Sequence, residues 1–305
     1  MNIIEQLLTS TFFYSVIRVS VPLLLPALGA LVTNRAGVPN IGLEGIMLMS
    51  AFFGVVGSAF SGSAMVGLLA AIFMGIVMSL FLAYFTLKLK TNVILGGIAL
   101  NLFSSSLTVF LLYILTGDKG TSASLASKTL PSIRLPIIED IPFIGAVLSN
   151  HNVLVYVTFV IVVLVYILLQ KTPLGQHIKA VGENENAAAS VGINVNRTRI
   201  ISFIICGVVC GIAGAFLSMG YVSWFSRDMT SGRGWIALAA EAMGRNTMVG
   251  TVLSSMLFGF ASALANILQL QGLPTELVTI LPNIITVVAL VSYSVMKSKG
   301  GRKYE

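Results

Sequence analysis

Charge is scarce in this chain. Only 10% of its 305 residues are Asp, Glu, Lys or Arg, against about 25% in soluble domains. A water-soluble globule is therefore excluded. Cysteine is scarcer still, with Cys206 and Cys210 alone. They sit four apart inside one apolar run, which suits neither a disulfide nor a zinc or redox motif. Both read as small packing residues. The two histidines, His151 and His177, fall on opposite sides of a membrane in the topology below, so no His-based catalytic cluster is expected. No GxxxxGKS/T phosphate loop occurs. The nearest lookalike, "TGDKGTS" at 116–122, has the wrong spacing. The chain is expected to be no enzyme and to hold no metal, ATP or other cofactor itself.

Apolar residues make up 56% of the chain. Runs of 18 or more recur, the mark of membrane helices. They are too long, and alternate too poorly, for barrel strands. Spans are expected near 11–33, 39–60, 64–87, 91–116, 151–170, 199–220, 247–270 and 275–296. A piece near 234–245 is too short to cross at about 1.5 Å per residue, so it reads as a half-helix or part of a broken span. The fold class is thus all-α, polytopic, with about eight to ten membrane helices in one domain over 1–305.

The first apolar run, Thr11 to Val32, lacks a basic flank before it and a small-residue cleavage site after it. It reads as a retained span. With the N-terminus outside, the inner segments hold 12 Lys and Arg and the outer ones 5. That satisfies the positive-inside rule and accounts for the +7 net charge without nucleic acid. Loop 171–199 and the C-terminal tail then face the cytoplasm. Loop 117–150 lies outside, as a cap, a docking lip or a plain connector.

A carboxylate at the centre of a membrane helix costs about 2.5–3.5 kcal/mol on insertion scales. Glu44 and Glu241 are the two candidates. Asn40 and Glu44 are four apart and share a helical face. Asn101 is a third polar group, and Asn266, Gln269 and Gln271 lie near the end of a later span. Trp235 and Asn283 complete the substrate-pathway candidates. The competing reading is interhelical bonding that only holds the bundle. Two glycine-bearing segments, 34–51 and 230–246, each enter a small-residue helix with one glutamate. Such paired broken segments suit a transporter repeat. Gly207 and Gly211 form a GxxxG face for close packing on a neighbouring helix or a second subunit.

Residues 171–192 read as two short helices. Thr172 caps the first, with Pro173 at its first position, and Gly182 is expected to break it. Glu183 and Glu185 suit the positive start of the second. Ala187, Ala188 and Ala189 favour helix with little bulk, and Gly192 is a natural stop. So short a helix is marginal alone. Its bare alanine surface predicts docking on a partner rather than on lipid headgroups, since it has neither a large apolar face nor a cation of its own.

Three stretches carry a resemblance: "AVGENENAAASVGINVNRTR" (180–199), "AGVPNIGLEGIMLMSA" (36–51) and "MTSGRGWIALAAEAMGR" (229–245). In this order they resemble permeases of bacterial ATP-binding-cassette importers, in the branched-chain amino acid, simple-sugar and nucleoside group. The pairing of the last two is most like the shorter permease of a nucleoside importer. The resemblance implies a multi-pass cell-membrane protein with three kinds of partner: an ATPase subunit carrying ATP and Mg, a second permease chain, and an extracytoplasmic solute-binding protein or lipoprotein. Coupling to the ATPase would involve Gly182, Glu183, Asn184, Asn186, Ala187, Ala188, Gly192 and Ile193. There are departures. Glu185 replaces a usual proline, Asn283 follows Leu281 and Pro282 where "LPY" is common, and Ala242–Met243 replaces a bulkier apolar residue. Against this stands a self-contained secondary carrier or channel with the cytoplasmic helix as its gate.

Overall fold

A computed structural model describes residues 9–136, 141 and 143–270. The expected span at 275–296, with Gln271 and Asn283, lies outside these residues. Among the described residues, seven helices are long and apolar enough to cross a membrane. The bundle is helical, and among the described residues a two-stranded ribbon (β1, Ser132–Ile133, antiparallel to β2, His151–Asn152) lies in the long loop.

Helix α1 (Ser10–Arg35) begins where the Thr9 side chain accepts from the Phe12 amide. It contains Pro22 and Pro26, each of which would cost about 3 kcal/mol or more in an isolated helix. Neighbouring helices make such breaks tolerable in a membrane, and α1 is the most enclosed span, with 83% of its apolar window buried. Helices α2 (Leu43–Ser61) and α3 (Ala64–Ala83) follow, and α3 runs into a π-helical turn at Tyr84–Lys88. Helix α4 (Val93–Thr116) starts at Asn92, whose side chain accepts from Ile94 and Leu95. Helix α5 (Ile144–Leu148) belongs to the long loop. Helix α6 (Val153–Lys171) leads to α7 (Pro173–Glu183) and α8 (Glu185–Ser190). Then come α9 (Val195–Met219), α10 (Arg233–Met243) and α11 (Met248–Leu270).

The expected ends hold to within four residues, and the largest differences are at the starts of α9, which begins at Val195 rather than 199, and of the 39–60 span. There Pro39–Gly42 is not helical, and α2 begins at Leu43. The sequence 234–245 is indeed a short helix, α10. Its 11 residues give about 16 Å of rise, half of a bilayer core of about 30 Å.

The glycine face of α9 packs inside this chain. A Cβ on Gly207 would lie 2.7 Å from the Gly75 carbonyl oxygen of α3, and one on Gly211 would lie 2.7 Å from the Ile72 Cα. Backbone contact this close needs residues without side chains, as at membrane helix crossings generally. Ser79 adds a 2.6 Å bond to the Phe203 carbonyl. Cys206 and Cys210 are buried and free, their sulfurs 4.0 Å apart, about twice a disulfide bond.

The long loop is no slack connector. Lys128 donates its amide to Ser58, Leu130 to the Met219 carbonyl, and Ser122 to the Phe225 carbonyl. Asn152 donates 2.9 and 2.8 Å bonds to the carbonyls of Leu130 and Gly220. The loop is thereby pinned across one end of α2 and α9.

Candidate functional site

The site forms where two helices are interrupted. Helix α1 stops at Arg35, and the chain runs non-helically from Ala36 to Gly42 before α2. Gly37 has φ +76°, which a glycine adopts freely. Backbone groups left unpaired inside a bilayer must find partners within the protein. Asn101 of α4 supplies two: its amide donates 3.1 Å to the Ile41 carbonyl, and its oxygen accepts 2.8 Å from the Gly45 amide. Asn40, fully buried, accepts from the Gly42 amide at 2.9 Å and donates to the Cys206 sulfur at 3.3 Å.

Glu44 joins this break to the second one. Its two carboxylate oxygens accept from the amides of Gly232 (2.7 Å) and Gly234 (2.6 Å) at the start of α10. It also lies in the first turn of α2. One carboxylate thus faces the positive ends of two helices. No residue with a side chain fits at Gly234, where a Cβ would come within 2.5 Å of the Glu44 amide nitrogen. Arg233 donates to the Met229 and Thr230 carbonyls at 3.0 and 3.1 Å and adds a cation beside Glu44.

At the far end of α10, Glu241 accepts from Asn34 at 3.0 and 3.1 Å. Arg35 clamps the Asn246 carbonyl with its Nε and Nη2. Helix α10 is therefore held to the α1–α2 break at both ends. Its 11 residues place Glu44 about 16 Å from the Arg35 end. Asn40, Glu44 and Asn101 come together at this junction. Glu241 is some two turns away, and Trp235 stands exposed on α10. The side chains of Asn40, Glu44, Asn101 and Glu241 find hydrogen-bond partners within the protein, and among the described residues no three metal-ligating side chains cluster.

A cavity of about 590 Å³ with a mixed polar and apolar lining opens between α1, α11 and the 221–231 loop. Arg18, Tyr221, Trp224, Asp228, Arg233 and Asn266 help to line it. The Arg18 guanidinium lies 3.7 Å from the Tyr221 ring centre, a cation–π contact. Asp228 accepts from Ser105 of α4 at 2.7 Å and pairs with Arg227. The cavity and the junction share the turn at 231–233. Sequence reasoning missed this cavity. The one signal in the sequence is Arg18, a cation within the apolar run from Thr11 to Val32.

Beside the cavity, His151 stacks on Tyr14 with ring centres 3.9 Å apart. Its Nε2 is 2.9 Å from the Val147 carbonyl and its Nδ1 3.4 Å from the Tyr221 hydroxyl. A carbonyl only accepts, so Nε2 carries the proton. Burial and then Arg18 hold the imidazole below its ordinary pKa, against the bond to Val147. Burial likewise pushes the Tyr221 hydroxyl up.

The loop at 171–199 folds as two helices, with three corrections to expectation. Helix α7 passes through Gly182 and ends at Glu183. Asn184 makes the break: it ends α7 and caps α8, its side chain accepting from Asn186 (3.1 Å) and Ala187 (3.0 Å). Helix α8 has 6 residues, shorter than the roughly 8-residue helix, about two turns, that the stretch from Glu183 to the Gly192 stop suggests. Its alanine surface is divided, because Ala188 is buried while Ala187 and Ala189 are exposed. Gly192, at φ +87°, turns the chain, and the Ile193 amide donates to the Ala188 carbonyl. Gly182 serves close approach instead of a stop, since a Cβ there would strike the Arg35 carbonyl. Glu185 pairs with Arg199 at 2.6 Å.

Known proteins place this architecture. Over residues 12–290 the chain matches the family described as the permease component of the branched-chain amino acid transport system. It is 31% identical to the guanosine ABC transporter permease protein NupQ of Bacillus subtilis, over 89% of this chain and 88% of that one. It is 30% identical to the nucleoside ABC transporter permease protein NupC of Lactococcus lactis, over 90% and 89%. It is also 30% identical to a Haloferax volcanii protein named as a glucose ABC transporter permease, TsgC13, over 92% and 90%. Among solved structures, a metal-chelate type ABC transporter in an inward-facing conformation shares the fold, with TM-score 0.56 at 17% identity over 92% and 85%. The chain therefore belongs to the family of multi-pass permease components of ABC transporters.

Proposed function

We propose that this permease carries nucleosides into a bacterial cell as one membrane subunit of an ATP-driven importer. The observation that carries the reading is similarity to NupQ and NupC along about nine-tenths of each chain. Solute enters from the side of the pinned long loop and the Arg18–Tyr221 cavity. Helix α10 and the 36–42 break then move together to open the other side. Asn40, Glu44, Asn101, Glu241 and Trp235 act chiefly by holding or facing that moving junction. The described residues form one unit of the single permease domain.

Energy enters from a separate ATPase subunit, which holds ATP and Mg. Helix α8 docks on it through exposed Ala187 and Ala189, framed by Glu183, Asn184, Asn186 and Gly192. A second permease chain completes the pathway, and an extracytoplasmic binding protein delivers solute. The chain sits in the plasma membrane with the α7–α8 end and the C-terminus in the cytoplasm and the N-terminus outside. The 12 to 5 distribution of cations supports this orientation.

The similarity to TsgC13 supports a sugar as the second reading. Uptake of labelled guanosine, ribose, glucose and leucine by cells with and without the gene separates the two. Loss of guanosine uptake alone supports the proposal. Loss of sugar uptake with guanosine uptake intact overturns it.

A further inference from the structure

We infer that the Glu185–Arg199 ion pair is a positioning device that makes the non-helical segment 36–42 follow the motion of helix α8. The inference rests on the reading of α8 as the ATPase docking element.

The pair is not an ordinary surface contact. The Arg199 side chain is 17% exposed and that of Glu185 is 53% exposed. One guanidinium nitrogen meets the Glu185 carboxylate at 2.6 Å. Another, Nε, donates 3.3 Å to the carbonyl of Ala36. Ala36 is the residue at which α1 ends and the break begins. A planar guanidinium with several fixed donors suits such a two-sided bridge, and a lysine ammonium on a flexible stem does not.

The surroundings leave the bridge little slack. Gly182 of α7 abuts the last turn of α1, and its Cα would lie 3.2 Å from a Cβ at Gly37. Arg35, next to Ala36, grips the Asn246 carbonyl just beyond α10. From there α10 leads to Gly232 and Gly234, held by Glu44. A displacement of α8 thus reaches the first residue of the break through Arg199 and the end of α10 through Arg35. Glu185 also stands in the first turn of α8, where a negative charge suits the helix start, but it does not cap the helix. The cap of that helix is the Asn184 side chain, and its outward alanines lie elsewhere on the turn. Neutralising Glu185 therefore loosens the tether while leaving the docking surface in place.

The test uses the complete transporter, purified through a tag on this chain and reconstituted in liposomes. ATPase subunit recovered, ATP hydrolysed and solute transported are measured for wild type, Glu185→Ala, Arg199→Met, the double variant and Arg199→Lys. Glu185→Ala and Arg199→Met should each retain the ATPase subunit and still hydrolyse ATP. Solute moved per ATP should fall about five-fold or more, the lower range of coupling between distant sites. The double variant should fall no further than either single one, as partners in one contact do. Arg199→Lys should recover part of the loss. An unchanged ratio in Glu185→Ala overturns the inference, as do losses that multiply in the double variant. Loss of the ATPase subunit from the single variants also overturns it, because the pair would then secure docking rather than transmit motion. A wild-type chain that recovers no ATPase subunit overturns the docking reading, and the inference with it.

Discussion

Replacing Glu44 by glutamine removes a charge but almost no volume, so it isolates what the carboxylate does. In the native chain both oxygens accept backbone amides, from Gly232 at 2.7 Å and Gly234 at 2.6 Å. Hydrogen bonds to a charged group contribute about 1.5–3 kcal/mol each. Glutamine keeps one acceptor and turns an NH2 toward the other amide. One bond is lost, and an amide without a partner costs about 1–3 kcal/mol. The negative charge facing two helix starts is lost as well, at about 0.3–1 kcal/mol per terminus. Allowing for relaxation, a loss of about 2–3 kcal/mol is expected. At roughly 2–4 °C per kcal/mol for chains of somewhat smaller size, the melting temperature should fall by about 5–10 °C. Glu44→Asp should fall too, because the shorter arm cannot reach both amides. The assay is thermal unfolding of the purified chain in detergent, followed by loss of the monodisperse peak, with uptake measured in parallel. A Glu44→Gln chain that melts at the wild-type temperature refutes the capping argument.

Other consequences are as direct. Ala189→Arg should leave expression and melting unchanged while abolishing ATP-driven uptake, because residue 189 faces outward. Ala188→Arg should lower the melting temperature, because Ala188 is buried; equal behaviour of the two variants in both assays would contradict the assigned face of α8. Gly207→Leu should sharply reduce the yield of folded chain, since its Cβ alone would meet the Gly75 carbonyl oxygen at 2.7 Å. Wild-type yield would show that α9 and α3 do not cross there. His151 is held below its ordinary pKa of 6.5, so the unfolded state binds the proton more readily than the folded one. Its contribution to stability is full above about pH 6.5 and shrinks as pH falls through the lower folded value. The melting temperature should drop on acidification in this window, and less steeply in His151→Asn; identical slopes would remove His151 from the account.

Much of the fold was legible because bilayer chemistry is demanding. Seven of the eight expected spans fall among the described residues and are helices there, and the brevity of 234–245 announced α10. The break before α2 was less legible. Pro39–Gly42 leads into an apolar stretch, and hydropathy does not distinguish helix from a non-helical segment whose Ile41 carbonyl is met by Asn101. The polar candidates were found by the cost of burying them, but their roles depended on contacts between distant positions. Glu44 and Gly232 are 188 residues apart, and no local pattern reports such a pair. Arg18 was visible as a cation in a span, yet Tyr221 and the cavity around them were not. The consequence of Glu185 is not legible in the local sequence, because its partner Arg199 lies beyond the next turn. The fold supplies that partner and, through it, the link to Ala36.

The most direct test of the account is ATP-dependent nucleoside uptake by the reconstituted complete transporter. With binding protein and labelled guanosine outside and the ATPase side supplied with ATP and Mg, uptake should require this chain, ATP and an intact α8. Ala189→Arg should reduce it to the level seen without ATP. Guanosine accumulation by the purified chain alone, without ATP or any partner, would contradict the account.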